Sequence, residues 1–432
     1  MSGDLPFGFS PDPGEPDENG GQGPGGFDMS QLGAMLQQLG AMLQSGQNEV
    51  TGPVDWDLAK NMARQAISAK GDPSVNENDT RRVGEAFDLA QVWLDPATTF
   101  PAGTASPGTW SRSEWLENTW PAWQQIIEPI ADGVQQTLTS MPDLGQVDLS
   151  DLGLPEGMQL PEGMQLPDMQ QLAGPLSNMA KRMGAAMFGA QVGNGLATLA
   201  DEVLGAGDVT VPLTSDGRPA LVSENVKAFG ADLDVELRDL YLFLALREAA
   251  HQRLYAHVPW LRTAVETAVR SYASGISVDT SKIQEAVQGI DPSDPQAMQD
   301  VLASGVFEPA QTPEQQQALA RLETLLALIE GWVQDVVTTA IDDRMPSAQR
   351  LGETMRRRRA SGGPAEKTFA TLIGLELRPR ALREAAALWE QLRIARGIEG
   401  RDAVWRHPDL TPTAEDLADP TAWLESTDDL EQ

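Results

Sequence analysis

Arg247, Glu248 and His251 stand within about one helical turn of each other in LYLFLALREAAHQRLYAHVPWL, residues 240–261. The order Arg247-Glu248-Ala249-Ala250-His251 differs at one position from HExxH. In that motif two histidines four apart on a helix ligate zinc and the glutamate activates a bound water. Arg247 holds the first of those positions, and a guanidinium stays protonated with no lone pair for a metal. Alone, a glutamate and a histidine three apart on a helix are commonly structural. A second anomaly lies further on. Glu330 interrupts the apolar stripe Leu319, Leu322, Leu326, Val333 and Val337, beside Gly331. Cations, carboxylates and imidazoles on apolar faces are unfavourable unless they are paired or coordinate something. Two such anomalies predict that Arg247, Glu248, His251 and Glu330 converge.

The elements that must position them are mostly helices. Leu240, Phe243, Leu244, Leu254 and Tyr255 recur at helical spacing. The opposite side, including Leu242, Leu246 and Ala250, is apolar too, so this helix belongs at the centre of the fold. Thr312-Pro313-Glu314-Gln315 is a helix start, with Thr312 as N-cap and Pro313 at the first position. Further helices are predicted over 54–69, over 78–94 with Asp79 or Thr80 as cap, and over 178–204, 263–274 and 381–395. Ser111 or Ser113 opens a helix carrying Trp115, Trp120 and Trp123. Gly184, Gly189, Gly193 and Gly195 would let another helix approach closely. Residues 208–222 read as a short hairpin turning at Asp216-Gly217. The fold class is therefore mainly α with a small β element.

Longer strings carry a family resemblance. REAAHQRLYAHVPWL and LLALIEGWVQDVV, with WSRSEWLENTWPAW, MFGAQVGNGLATLADEVLG, RRRRASGGPAEKTFATLIGLELRPR and RDAVWRHPDL, resemble the actinobacterial zincin-like family of zinc-dependent metalloproteases. The resemblance spans residues 52–420, and related branches carry HExxH, then VPWL and a later EGH. It implies a zincin-like helical domain acting on a peptide or protein substrate. Matched residue by residue, Glu248 is the catalytic glutamate, His251 the second histidine ligand of zinc and Glu330 the third ligand. Arg247 occupies a degenerate first-ligand position, and Trp332 stands where EGH has its histidine. Two functional expectations follow. One is a zinc-dependent metallopeptidase-like hydrolase with a degenerate site. The other is a catalytically inactive pseudoenzyme, a scaffold or binding module in which Arg247 pairs with Glu248 or Glu330 and supplies the charge zinc would bring.

Composition narrows the rest. A net charge of −32 over 432 residues argues against non-specific binding to nucleic acid or an anionic membrane. With no cysteine there is no disulfide, thiol nucleophile or thiolate metal site. The other two histidines are weak co-ligands, since His257 lies well round the helix from His251 and His407 precedes a proline. GAQVGNG lacks the Lys-Ser/Thr pair and preceding strand of a phosphate loop. Neither a secretory signal nor a run of about 18 apolar residues is read, so the expectation is a cytoplasmic protein without a membrane span. Residues 1–51 read as a disordered acidic tail containing a short amphipathic repeat, QLGAMLQQLGAMLQ. Residues 52–420 form the body, with the hexad repeat in 141–172 as an exposed insertion loop, and 421–432 are an acidic C-terminal tail. The run Arg356–Arg359 reads as pairing with acidic segments of the same chain or as a solvated face, with an anion site for a ligand such as a peptide's terminal carboxylate as the other reading.

Overall fold

The computed structural model describes residues 52–139, 169–274, 312–360, 362 and 380–428. Within them the chain forms α1 (Trp56–Lys70), α2 (Glu77–Leu94), β1 (Gly108–Trp110), α3 (Arg112–Thr139), α4 (Met169–Glu202), β2 (Ala220–Val222) and α5 (Ser223–Gly230). It continues with α6 (Leu237–His257), α7 (Pro259–Ser274), α8 (Pro313–Ile341), α9 (Ala348–Ala360), α10 (Arg380–Ala403), α11 (Ala414–Ala418) and α12 (Pro420–Asp428). The fold is mainly α with a two-stranded sheet, as expected. The expectations for residues 1–51 and for most of the hexad repeat lie outside the described residues; Met169 to Leu172 form the first turn of α4.

Helix α6 is buried at every position from Leu240 to Leu254, as a helix apolar on both sides must be. It stops at Val258 because Pro259 can open the next helix but cannot continue this one. Helix α8 opens with the expected capping box between Thr312 and Gln315 and crosses α6, α7 and α10. Gly331 permits the α10 contact, since a Cβ there would sit 2.8 Å from the backbone of Ala385 and Ala386. By length and hydropathy α8 could cross a membrane, yet 78% of its most apolar window is buried against the other helices. Small residues do the same for α1 on α4. A Cβ at Gly189 or Gly193 would lie 2.5 Å from the carbonyl oxygen of Asp55 or Ala59, whereas Gly184 meets open space.

Three local expectations are corrected. Asn76, not Asp79 or Thr80, caps α2, because its side chain accepts from the Asp79 N–H and starts the helix earlier. Ser111 does cap α3, in a reciprocal box with Glu114. The hairpin over 208–222 does not form. Its Asp216-Gly217 turn exists, but β2 pairs in parallel with β1, Gly108 opposite Ala220 and Trp110 opposite Val222. The first arm cannot pair because its carbonyls are taken: Tyr255 donates to Thr210 O, and Arg262 donates to Pro212 O and Thr214 O. Residues 421–428 are not a tail. Leu417 on α11 and Trp423 on α12 are buried, and that apolar contact holds the acidic end against α10.

Candidate functional site

Helix α6 carries Arg247 and His251 one turn apart, and α8 presents Glu330 to them. Glu330 is 5% exposed and both of its oxygens are engaged. Its Oε2 accepts from the Arg247 guanidinium at 2.7 Å and forms an ion pair with Arg359 Nη1 at 2.7 Å. Its Oε1 accepts from the Thr210 hydroxyl at 2.6 Å and faces His251 Nε2 at 2.9 Å. Burial opposes the charged form, but the Arg359 and Arg247 guanidiniums and His251 hold this carboxyl well below the usual range. The other ring nitrogen of His251 donates to the Arg247 carbonyl at 2.9 Å, which fixes the ring's orientation.

Glu248 points elsewhere. It sits beneath the turn after α4, where the Gly207 N–H donates to both carboxylate oxygens at 2.8 and 2.9 Å. Gly205 lets that turn come so close, since a Cβ there would lie 2.5 Å from Glu248 Oε1 and 2.6 Å from the Ala220 carbonyl. Burial pushes the Glu248 carboxyl up to about 8, Gly207's N–H notwithstanding. A shift in that direction favours the protonated form, which is not the form a general base needs. The space it borders, shared with His251 and Asp208, holds only about 10 Å³, at the threshold for a single water. A larger cavity of about 590 Å³ opens on the other side, lined by Arg247 and Glu330 but by neither Glu248 nor His251.

Arg359, Thr210 and Asp208 complete the arrangement and were not singled out individually from the sequence. The four arginines of 356–359 divide by their angle around α9. Arg358 pairs with buried Asp208, contacting both oxygens at 2.9 and 3.0 Å, and Arg359 reaches Glu330. Arg356 and Arg357 turn outward onto Glu353. Pairing within the chain, the first reading of that run, accounts for all four, two inward and two along α9 itself. Thr210 adopts φ +64, a left-handed conformation that a β-branched residue rarely takes. Such strain, on the order of 1–3 kcal/mol, is held by the hydroxyl's bond to Glu330 and by Tyr255, whose OH donates to the Thr210 carbonyl at 2.7 Å. Tyr255 itself is pushed up by burial, with Glu330 adding to the shift.

The sequence matches a known family. The model of the zincin-like metallopeptidases covers residues 54–424 of the chain. The chain belongs to that family. A crystal structure from Chloroflexus aurantiacus, provisionally described as a hydrolase with a novel fold, shares the architecture at a TM-score of 0.59. The two chains are 18% identical, and the match spans 87% of this chain and 99% of the other, a likeness of fold. No curated protein shows significant sequence similarity to it.

Membership of this family implies zinc, so the donor set has to be tested against it. A catalytic zinc usually takes three protein ligands with available lone pairs. Among the described residues no group of three or more His, Asp or Glu side chains could hold a metal. Of the matched ligand positions, Arg247 offers a cation, and Glu330 is already bonded on both oxygens to guanidiniums, a hydroxyl and an imidazole. Trp332 faces away from the cluster and donates its indole N–H to Asp402 at 2.9 Å, so position 332 is not aimed at the site at all. The residues as arranged do not fit zinc.

Proposed function

We propose that this chain is a zincin-fold binding module that works without a metal, its buried carboxylate neutralised by arginine. The observation that carries this reading is the Glu330 carboxylate, closed by Arg247 and Arg359 on one oxygen and by Thr210 and His251 on the other. Two guanidiniums supply the positive charge that a divalent cation would bring, Arg247 through a directed hydrogen bond and Arg359 as an ion pair. Glu248, held by the Gly207 N–H and bordering a water-sized space, does not line the 590 Å³ cavity. The second reading, a zinc-dependent metallopeptidase-like hydrolase, is supported by family membership and by the His251 ring. Its Nδ1–H is anchored on a backbone carbonyl, leaving Nε2 turned toward Glu330 as a metal-binding histidine would be. On that reading Arg247 would swing aside to contact substrate.

Elemental analysis separates them. The purified chain is expected to carry little zinc after dialysis, with a melting temperature unmoved by chelator. Arg247→His, which rebuilds HExxH, is expected to gain zinc through the new imidazole, His251 and Glu330. Near-stoichiometric zinc in the natural protein, lost in His251→Ala, would establish the metalloenzyme instead.

A further inference from the structure

The 590 Å³ cavity beside the cluster is a place where the module could hold something. Its volume lies in the range of small-ligand sites. It lies against α6, α8, α9 and α10, with Arg247 and Glu330 at one end. Its apolar wall comes from Phe243 of α6, Val337 and Ile341 of α8, Met355 of α9 and Leu382 of α10. Five arginines and three carboxylates also line it. In a chain of net charge −32, that surplus of positive charge sets a local field opposed to the protein as a whole.

The arginines differ in what they have left to give. Arg247 and Arg359 are committed to Glu330. Arg356 donates through Nε and Nη2 to one oxygen of Glu353, and Arg357 through Nε to the other. Glu353 therefore holds both forks in place, while the terminal nitrogens of Arg357, 79% exposed in its side chain, make no bond to it. Arg383 is exposed and has no ion-pair partner among the described residues. Between these cations and the apolar wall lie the Gln334 amide, without a hydrogen bond among the described residues, and the Thr338 hydroxyl.

Resting on the reading that arginine replaces metal here, we propose that this cavity binds the free C-terminus of a peptide ending in an apolar residue. Arg383 and Arg357 take the carboxylate, the apolar wall takes the last side chain, and Gln334 and Thr338 meet the preceding amide. A phosphate or other dianion suits the site less. Asp342 and Glu353 stand in the same lining and leave only a small positive excess, and more than half the wall would gain nothing from such a ligand. A planar carboxylate matches a guanidinium fork, and the apolar surface rewards a hydrophobic terminal residue.

The test is calorimetric titration of the full chain with acetyl-Ala-Ala-Leu as the free acid and as the C-terminal amide, each with and without chelator. The free acid is expected to bind with Kd on the order of 0.1 mM. The amide, Arg383→Glu and Arg357→Glu should each weaken binding about tenfold or more, with melting temperatures unchanged for both variants. Equal binding of acid and amide, or no binding of either, overturns the proposal. Tight binding of the acid that disappears in chelator overturns it too, because the carboxylate would then sit on a metal, and that result would sink the metal-free reading as well. Failure of the acid to bind a protein that is zinc-free and chelator-insensitive sinks the cavity proposal alone.

Discussion

Helix α8 carries two buried ionic networks on different faces, and they are built for different ends. The first surrounds Glu330. The second centres on Arg401, whose side chain is fully buried and donates to Asp335 at 2.9 Å, to Asp402 at 2.8 Å and to the Ala97 carbonyl at 2.8 Å. Asp402 also accepts from the Thr98 hydroxyl, the Thr99 N–H and hydroxyl, and the Trp332 indole, while Arg393 closes on Asp335. This second network ties α8, α10 and the segment after α2 together. It does not line the 590 Å³ cavity and contains no left-handed residue. The Glu330 cluster lies on a cavity of 590 Å³, includes the left-handed Thr210 and adjoins arginines with unused donors. Burial and charge pairing are common to both. Access, strain and surplus charge single out the site.

That contrast can be broken by mutation. Arg401→Ala removes a fully buried cation shared by Asp335 and Asp402, leaves Asp402 with neutral donors only and empties a large side-chain volume, and should show the largest loss, about 3–5 kcal/mol or outright failure to fold; urea denaturation measures it. A loss under about 1 kcal/mol would mean that this network is not the structural one. Arg247→Ala should be milder, about 2–3 kcal/mol, because Arg359, Thr210 and His251 still hold Glu330. Adding Glu330→Gln should then restore part of the stability, as the stranded charge is gone. If the double variant is worse than the sum of the singles, Arg247 is not there to neutralise Glu330.

The third effect is smallest at acid pH and grows as pH rises. The Glu248 carboxyl lies near 8 in the folded chain against 4.5 as its ordinary value. The folded state then binds the extra proton between those values, so stability is full below about 4.5 and is lost as pH climbs toward 8. Glu330 has the opposite sign: with its folded value depressed, its contribution is present above its ordinary value of 4.5 and is lost as pH falls below it. Glu248→Gln should therefore gain on the natural protein by up to about 1 kcal/mol per pH unit across that window, read as urea midpoints from pH 5 to pH 8. A gap between the two that does not change with pH would place Glu248 as an ionised group in the fold.

The sequence by itself determined the central helix, the capped start of α8 and the anomalous polar residues within them. These depend on local periodicity and on side chains bonding within three or four residues, which a chain displays without knowing its partners. It also carried the family, through strings long enough to match across residues 54–424. Three matters were decided only by the tertiary structure. Glu248 and His251 are neighbours on α6, yet one turns to Gly207 and the other to Glu330, because helical spacing places side chains without choosing what covers them. The four consecutive arginines look alike in sequence, but their angle around α9 and its seat over the turn after α4 send Arg358 and Arg359 to buried carboxylates and Arg356 and Arg357 outward onto Glu353 at the cavity's edge. Thr210 had no local signal at all. Its left-handed backbone and its bond to Glu330, 120 residues away, exist only because α6 and α8 hold the two ends of that contact in place.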